Sequence, residues 1–194
     1  MTCPAVIRDT HTAALIGRGN KVLLSVVDGL NREHNRPMSI LPERGSMEEE
    51  LRRHKVSYEI VDLRPTSGRI GMTVAVGRFV RQISKHKIAL VHANDPFTYR
   101  AASLATAITR MPRICHVHRP DQNKNSIAWA FSRMPERIRT PTRYVKEEVS
   151  EWLGMAEADI VRVVGNPTNV GWFAPVPNVA ALREKWACKW LAGT

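Results

Sequence analysis

Long apolar runs are missing from this 194-residue sequence. No stretch approaches the roughly 18–20 residues that a membrane-crossing helix needs. The segment Met1–Asp9 has no basic stretch leading into an apolar core, so no secretory signal is predicted. Cysteine is scarce and odd in number: Cys3, Cys115 and Cys188 lie far apart. They make neither a disulfide framework nor a CxxC metal knuckle, and a reducing, cytoplasmic setting fits them best. Aromatic residues make up only 6% of the chain, which leaves no visible stacking platform for nucleic acid. Acidic residues nearly vanish from the middle. Between Leu63 and Pro135 there are two acids, Asp95 and Asp121, against twelve Lys and Arg.

What is present is a hydrophobic content of 43%, enough for a core, on a chain whose length suits one domain. The formal charge is +11, and it is uneven, with an acidic cluster at Glu48-Glu49-Glu50 in the first third. A one-sided positive field points to an anionic partner: a phosphorylated ligand, an anionic membrane or nucleic acid. The plain alternative is a soluble basic surface.

Short apolar runs alternate with helical periods. Asn20–Glu33 reads as a helix, with Val22, Leu23, Val26, Val27 and Leu30 at 3-4 spacing. Arg36–Leu41 reads as a strand ended by Pro42. Ser46–His54 reads as a helix that Ser46 and Glu49 would cap reciprocally. Val56–Leu63 is a strand. Gly71–His86 is an amphipathic helix with Met72, Val76, Phe79, Val80 and Ile83 on one face and Arg78, Arg81 and Lys85 on the other. Ile88–His92 is a short buried strand, Asp95–Arg110 a helix opened by Asp95-Pro96, and Arg113–His118 the next strand. Ser126–Arg133 and Thr142–Leu153 are helices on either side of the strand Arg137–Thr140, and Gly154 stops the second of them. Ile160–Val164 is a last strand, and Asn178–Leu191 a last helix with Leu182, Trp186 and Trp190 in one stripe. Strand and helix in this rhythm imply a Rossmann-like, doubly wound α/β fold: a mainly parallel sheet with helices on both faces. Ligands of such sheets collect beyond the carboxyl ends of the strands.

Three strand ends there carry polar groups. His92 is followed by Asn94 and Asp95, His118 by Arg119, and Thr140 by Arg143. Each histidine alone is most simply a structural residue; two strands ending in histidine beside Asn, Asp and Arg point to a site. A metal read from Cys115, His116 and His118 is disfavoured, because Cys115 points to the other side of its strand. A mid-strand Cys115 also reads as an inert buried thiol rather than a nucleophile. Gly17-Arg18-Gly19 precedes the first helix, where backbone N–H groups could meet a phosphate. Val22 replaces the third glycine of a dinucleotide fingerprint, and the P-loop lysine is absent, so NAD and ATP readings lose support.

In order, these segments resemble the N-terminal domain of family 4 glycosyltransferases of the GT-B fold. The stretch Gly17-Arg18-Gly19-Asn20-Lys21-Val22-Leu23-Leu24, then Gly29-Leu30-Asn31-Arg32-Glu33-His34, is similar to the family's glycine turn and first helix. Ile88-Ala89-Leu90-Val91-His92-Ala93-Asn94-Asp95 is similar to a "DIVHAH" strand, and Pro112–His118 to a "P-x-V-x-T-x-H" strand. Val163-Val164-Gly165-Asn166-Pro167-Thr168-Asn169 resembles an "I-x-V-I-x-N-G-V-D" segment. The resemblance implies an acceptor-holding domain of a two-domain enzyme that uses a nucleotide-sugar and no metal. It places Gly17 and Gly19 by the donor diphosphate, and His118 as the catalytic-site residue that orients the transferred sugar. It places His92, Asn94, Asp95 and Arg143 on the acceptor side, with Arg119 and Asn166 among the substrate contacts. Some positions depart from the pattern. Arg18 and Asn20 stand where a glycine and an acidic residue are usual, and Ala5-Val6-Ile7 is followed by polar Arg8-Asp9-Thr10-His11 instead of a longer apolar strand.

Residues 1–175 are thus expected to form the Rossmann-like domain, and 176–194 a linker and helix leading to a donor-binding domain. No two glutamates stand eight residues apart, the spacing of the family's donor-side pair, so the chain is expected to be inactive alone. Glycan or lipid acceptors and a separate donor-binding domain are the implied partners. An anionic membrane is a further one, met by Arg78, Arg81, Lys85 and Lys87 on a basic amphipathic helix. A non-catalytic basic module binding a membrane or nucleic acid is the alternative, though no nucleic-acid recognition motif is visible.

Overall fold

A computed structural model of the chain describes residues 5–9, 18–66, 68–118, 124–155 and 160–167. Strands and helices alternate along it: β1 (Ala5–Asp9), α1 (Arg18–Asp28), β2 (Arg36–Leu41), α2 (Ser46–Arg53), β3 (Ser57–Ile60), α3 (Gly68–His86) and β4 (Ile88–Ala93). Then come α4 (Pro96–Thr109), β5 (Arg113–His116), α5 (Lys124–Ala130), β6 (Arg137–Thr140), α6 (Arg143–Trp152) and β7 (Val161–Val163). The strands form one seven-stranded sheet in the order β3-β2-β1-β4-β5-β6-β7, and every neighbouring pair is parallel. The winding reverses between β1 and β4, which makes the gap beyond their carboxyl ends the topological switch point of the sheet.

Alternation along the strands sorts the core onto two faces. Leu41 packs with Leu23, Leu24, Val27, Met47, Leu51 and Val56, so α1 and α2 cover one face. Met38, Ile40 and Val91 point the other way, against Phe79 and Ile83 of α3 and Ala101, Ala102 and Ala105 of α4. Ala93, Cys115, Val117, Ile138 and Val161 continue that second face under Tyr99, Ile127, Val145 and Val149, so α4, α5 and α6 cover it too. Two helices on one side and four on the other is the doubly wound arrangement that the alternating pattern predicts.

Local chemistry explains the ends. The helix expected to run to Glu33 stops at Asp28, because Asn31 turns the chain: its Oδ1 accepts from Glu33 N at 2.8 Å. The expected Ser46/Glu49 capping pair is displaced by one residue. Gly45 is the N-cap, and Glu48 Oε1 accepts from Gly45 N at 3.2 Å. Glu48 also takes Arg44 and the Tyr58 hydroxyl, which lies 3.2 Å away, so a nearly buried carboxylate ties α2 to the third strand. Asp95 caps α4 by accepting from Phe97 N at 2.8 Å and Thr98 N at 3.2 Å, with Pro96 in the first turn. Thr142 caps α6 through Val145 N, and Gly154, at φ 66°, takes the left-handed turn after it. The expected helix over 178–191, with Leu182, Trp186 and Trp190, lies outside the described residues.

Candidate functional site

The switch point is built from three segments far apart in sequence. β1 and β4 run side by side to Asp9 and Ala93, and Asn94 follows directly. The first turn of α1 comes down beside them. A Cβ placed on Gly19 would lie 3.2 Å from both Cδ2 and Nε2 of His118 and 3.6 Å from Asn94 Nδ2. The helix backbone is therefore in direct contact with the end of β5, a closeness that only glycine allows without displacing the ring. His118 Nε2 sits 3.3 Å from Asn94 Oδ1. With that oxygen as acceptor, Nε2 carries the proton.

Below His118 the imidazoles continue inward. His116 stacks on His118 with ring centroids 3.8 Å apart and planes at 27°. His92, on the neighbouring strand, lies 6.2 Å from His116 with planes at 16°. His92 and His116 are buried, whereas His118 is half-buried at the rim. The alternation that puts these rings on one face puts Cys115 on the other, where burial pushes its thiol well above the ordinary range and a nearby Asp95 adds to the rise. A thiol held protonated there is no nucleophile. Among the described residues no group of His, Cys, Asp and Glu is placed to hold a metal ion.

The structure distributes the expected site residues unevenly. Gly19, Asn94 and His118 meet at the switch point. His92 supports them from beneath, buried rather than lining an open surface. Asp95 is next to them, but its carboxylate is occupied as the helix cap. Arg143 stands exposed in the first turn of α6, beyond β6. Asn166 follows β7, half-buried, its Oδ1 without a hydrogen-bond partner among the described residues. Gly17 and Arg119 lie outside the described residues. Arg78, Arg81 and Lys85 of the basic set are on α3, with Lys87 just past its end, on the opposite face of the sheet from α1, and not all of the set is free. Lys85 and His86 engage Glu59. Burial would raise the Glu59 carboxyl, but hydrogen bonds from those two residues outweigh it and hold it below its ordinary value. Arg78 donates to the Asp62 carbonyl at 2.7 Å. The Gly19–His118 contact escaped the sequence reading, since nothing in the local pattern pairs two segments so distant.

The family model for Glycosyltransferase Family 4 matches residues 19–171. The chain belongs to glycosyltransferase family 4. The match spans the switch point and every described strand after β1, and it corresponds to the N-terminal domain of a GT-B glycosyltransferase. Solved structures agree on the fold. Anabaena HepE, in complex with UDP and glucose, superposes with a TM-score of 0.75 at 17% identity, over 93% of this chain and 50% of its own. A Rickettsia africae glycosyltransferase gives 0.74 at 15% identity, over 98% of this chain and 51% of its own. The lipopolysaccharide outer core galactosyltransferase WaaB, in its apo form, gives 0.62 at 13%, over 86% and 46%. This family 4 chain thus spans about half the length of the solved proteins it matches. No curated protein sequence matches it significantly.

Proposed function

We propose that this chain is the acceptor-side half of a glycosyltransferase that moves a sugar from a nucleotide-sugar to a glycan or lipid acceptor. The observation that carries the reading is the convergence of Gly19, Asn94 and His118 at the switch point of a family 4 domain. Glycosyl transfer needs charge stabilised on a departing diphosphate and a sugar held in line with the acceptor hydroxyl. The first turn of α1 offers backbone N–H groups to the diphosphate, the side to which the family resemblance assigns Gly17 and Gly19. His118, held at the switch point by its Nε2 contact with Asn94, is the residue assigned to orienting the transferred sugar. Asn94, Arg143 and Asn166 line the acceptor side, and His92 and Asp95 hold them in place. No step in this scheme calls on a metal.

A domain of this span offers one wall of such a cleft, so turnover is expected only with a donor-binding domain. The test is transfer from a panel of UDP- and GDP-sugars to lipid and glycan acceptors, by the chain alone and joined to a family donor-binding domain. Turnover by the joined protein alone, reduced about 100-fold or more by His118→Ala, is the expected result. Robust turnover by the chain alone overturns the half-site reading, and a joined protein indifferent to His118→Ala overturns the role of that residue.

A second reading concerns where the enzyme works. Ile70 and Val74 of α3 are 83% and 47% exposed, and they share their outer stripe with Arg78, Arg81 and Lys85. No helix among the described residues is long and apolar enough to cross a membrane. An apolar tip followed by arginines suits docking on an anionic cytoplasmic leaflet, with Arg81 and Lys87 contributing more than the Glu59-bound Lys85. Sedimentation with phosphatidylglycerol vesicles is expected to show binding that weakens as salt rises and falls several-fold in Arg81→Gln/Lys87→Gln. Salt-insensitive binding, or none, disposes of this reading.

A further inference from the structure

The ring beneath His118 has no part in the scheme above. His118 lies half-buried at the rim, where a side chain ordinarily samples more than one rotamer. Three neighbours close on it. Asn94 Oδ1 meets its Nε2 at 3.3 Å, the α1 backbone at Gly19 stands across its Cδ2–Nε2 edge, and His116 covers a ring face with centroids 3.8 Å apart. Residues two apart on a strand rise about 6.6 Å, so rings at 3.8 Å lean together into van der Waals contact. His116 is itself fixed. It is buried, it pairs with Arg139 of β6, and Val117 N donates to the Arg139 carbonyl at 2.8 Å, which holds the backbone between the two histidines. His92, also buried, stands behind it with planes at 16°.

Packing alone does not account for a ring at this position. A buried imidazole asks for hydrogen-bond partners that an aliphatic side chain does not need. Other buried strand positions hold Leu41, Val91, Ile138 and Val161. What an imidazole adds is a flat, stiff face. A leucine or valine fills the space but offers no plane for His118 to lie on. We propose that His116 is a positioning residue for the transfer: it touches no substrate, and by stacking under His118 it fixes the plane in which that ring meets the sugar. The proposal rests on the acceptor-side reading for its biological meaning, while the stack itself stands on geometry and burial. A reacting group has to be held within about 0.5 Å and 10–20° of its productive geometry by side chains that packing has locked. His116 supplies that lock from below, and Gly19 and Asn94 supply it from two other sides. Positioning of this kind acts on the transition state more than on ground-state binding, so its loss lowers kcat and leaves KM close to unchanged.

His116→Leu and His116→Phe test the proposal, since both fill the site and only the second keeps a flat ring. Side-chain NMR of the full chain reads the stack without any substrate. The His118 ring protons are expected upfield, shifted by the ring current of His116, with a nuclear Overhauser contact to that ring and one populated rotamer. These features are expected to persist in His116→Phe and to disappear in His116→Leu. Transfer by the joined protein then reads the role. His116→Leu is expected to lower kcat about tenfold or more with KM within about twofold, and His116→Phe to keep kcat within about threefold of the wild type. Unfolding curves of both variants separate positioning from packing. Equal losses of stability and of kcat in the two assign a packing role and overturn the proposal, and so does a wild-type kcat in His116→Leu. Should His116→Leu not fold, His116→Thr, a good strand former that also lacks a ring, takes its place. Absence of transfer by the joined protein with every acceptor sinks the acceptor-side reading by itself, and the NMR result still decides this one. A His118 ring that averages between rotamers in the wild-type chain overturns the positioning; a ring ordered in the wild type and His116→Phe but not in His116→Leu supports it.

Discussion

Gly71→Ala is expected to destabilise the domain by about 2–3 kcal/mol or more, although alanine is the better helix former. Propensity alone would predict a gain of roughly 1 kcal/mol. Sterics decide otherwise. A Cβ on Gly71 would run into the hydroxyl and carbonyl oxygens of Thr66 and lie 2.7 Å from the Thr66 carbonyl carbon. Much of that obstruction is backbone, so no rotamer change relieves it. Nor can the loop move cheaply. Leu63 is 1% exposed, Arg64 Nε donates to Asp62 Oδ1 at 2.8 Å, and Arg78 of α3 donates to the Asp62 carbonyl at 2.7 Å. The Arg64 hydrogen bond also holds the Asp62 carboxyl below its ordinary value, in spite of partial burial. Gly77, on the exposed side of the same helix, has nothing within 4 Å of its would-be Cβ. Gly77→Ala is expected to stabilise by about 0.5–1 kcal/mol. Urea or thermal unfolding of the two variants reads the contrast directly, and a domain of this size should lose about 4–10 °C in Tm for Gly71→Ala. Equal stabilisation by both substitutions would show that the loop before α3 yields.

The alternation of strands and helices, the most local of the signals, was also the most legible. Arg36–Leu41 and Arg137–Thr140 have the same bounds in sequence and structure. At two of the helix ends that differ, a side chain acting on the backbone made the difference. Asn31 ended α1 early, and Glu48 rather than Glu49 closed the cap of α2. The first strand was the hardest to see. A strand at the centre of a parallel sheet ordinarily reads as a continuous apolar run. Here Arg8 and Asp9 interrupt the pattern, yet β1 pairs with β2 and β4 over its whole length. The polar residues fall at its carboxyl end, where the strand runs out toward the site.

The site was legible as parts and not as an arrangement. His118, Asn94 and Gly19 each stood out by type and by position at a strand or helix end, because the carboxyl edge of such a sheet is where ligands bind. Which of them touch depends on the order of strands, and that order is a property of the whole sheet. Asp95 carries two readings. An acid beside a candidate histidine invites a chemical role, while Asp-Pro at a helix start already accounts for it as a cap. The pairing of β6 with β7 was hidden for a third reason. Alternation in Arg137-Ile138-Arg139 is visible in the sequence, but its alignment with Arg162 requires the register between β6 and β7.

The contact between Gly19 and His118 offers a direct test of the arrangement at the switch point. Gly19→Ala is expected to destabilise by about 1–2 kcal/mol, as overpacking does, because the new methyl meets His118 at 3.2 Å. The ring has little room to withdraw. His116 lies 3.8 Å beneath it, and His92 stands behind His116, both buried. Moving the ring sideways instead stretches the 3.3 Å contact with Asn94. In a His118→Ala background the obstacle is gone, and Gly19→Ala should become neutral or slightly stabilising, since it replaces a helical glycine. The two substitutions are thus expected to couple by about 1–2 kcal/mol, measured as the difference between four unfolding curves. Additivity within about 0.3–0.5 kcal/mol would mean that α1 and the end of β5 do not touch. Coupling of the expected sign would also explain why this position excludes a side chain. The backbone that would face a donor diphosphate and the imidazole that would face its sugar are held in contact, so an added methyl between them separates the two groups that the proposed transfer needs together.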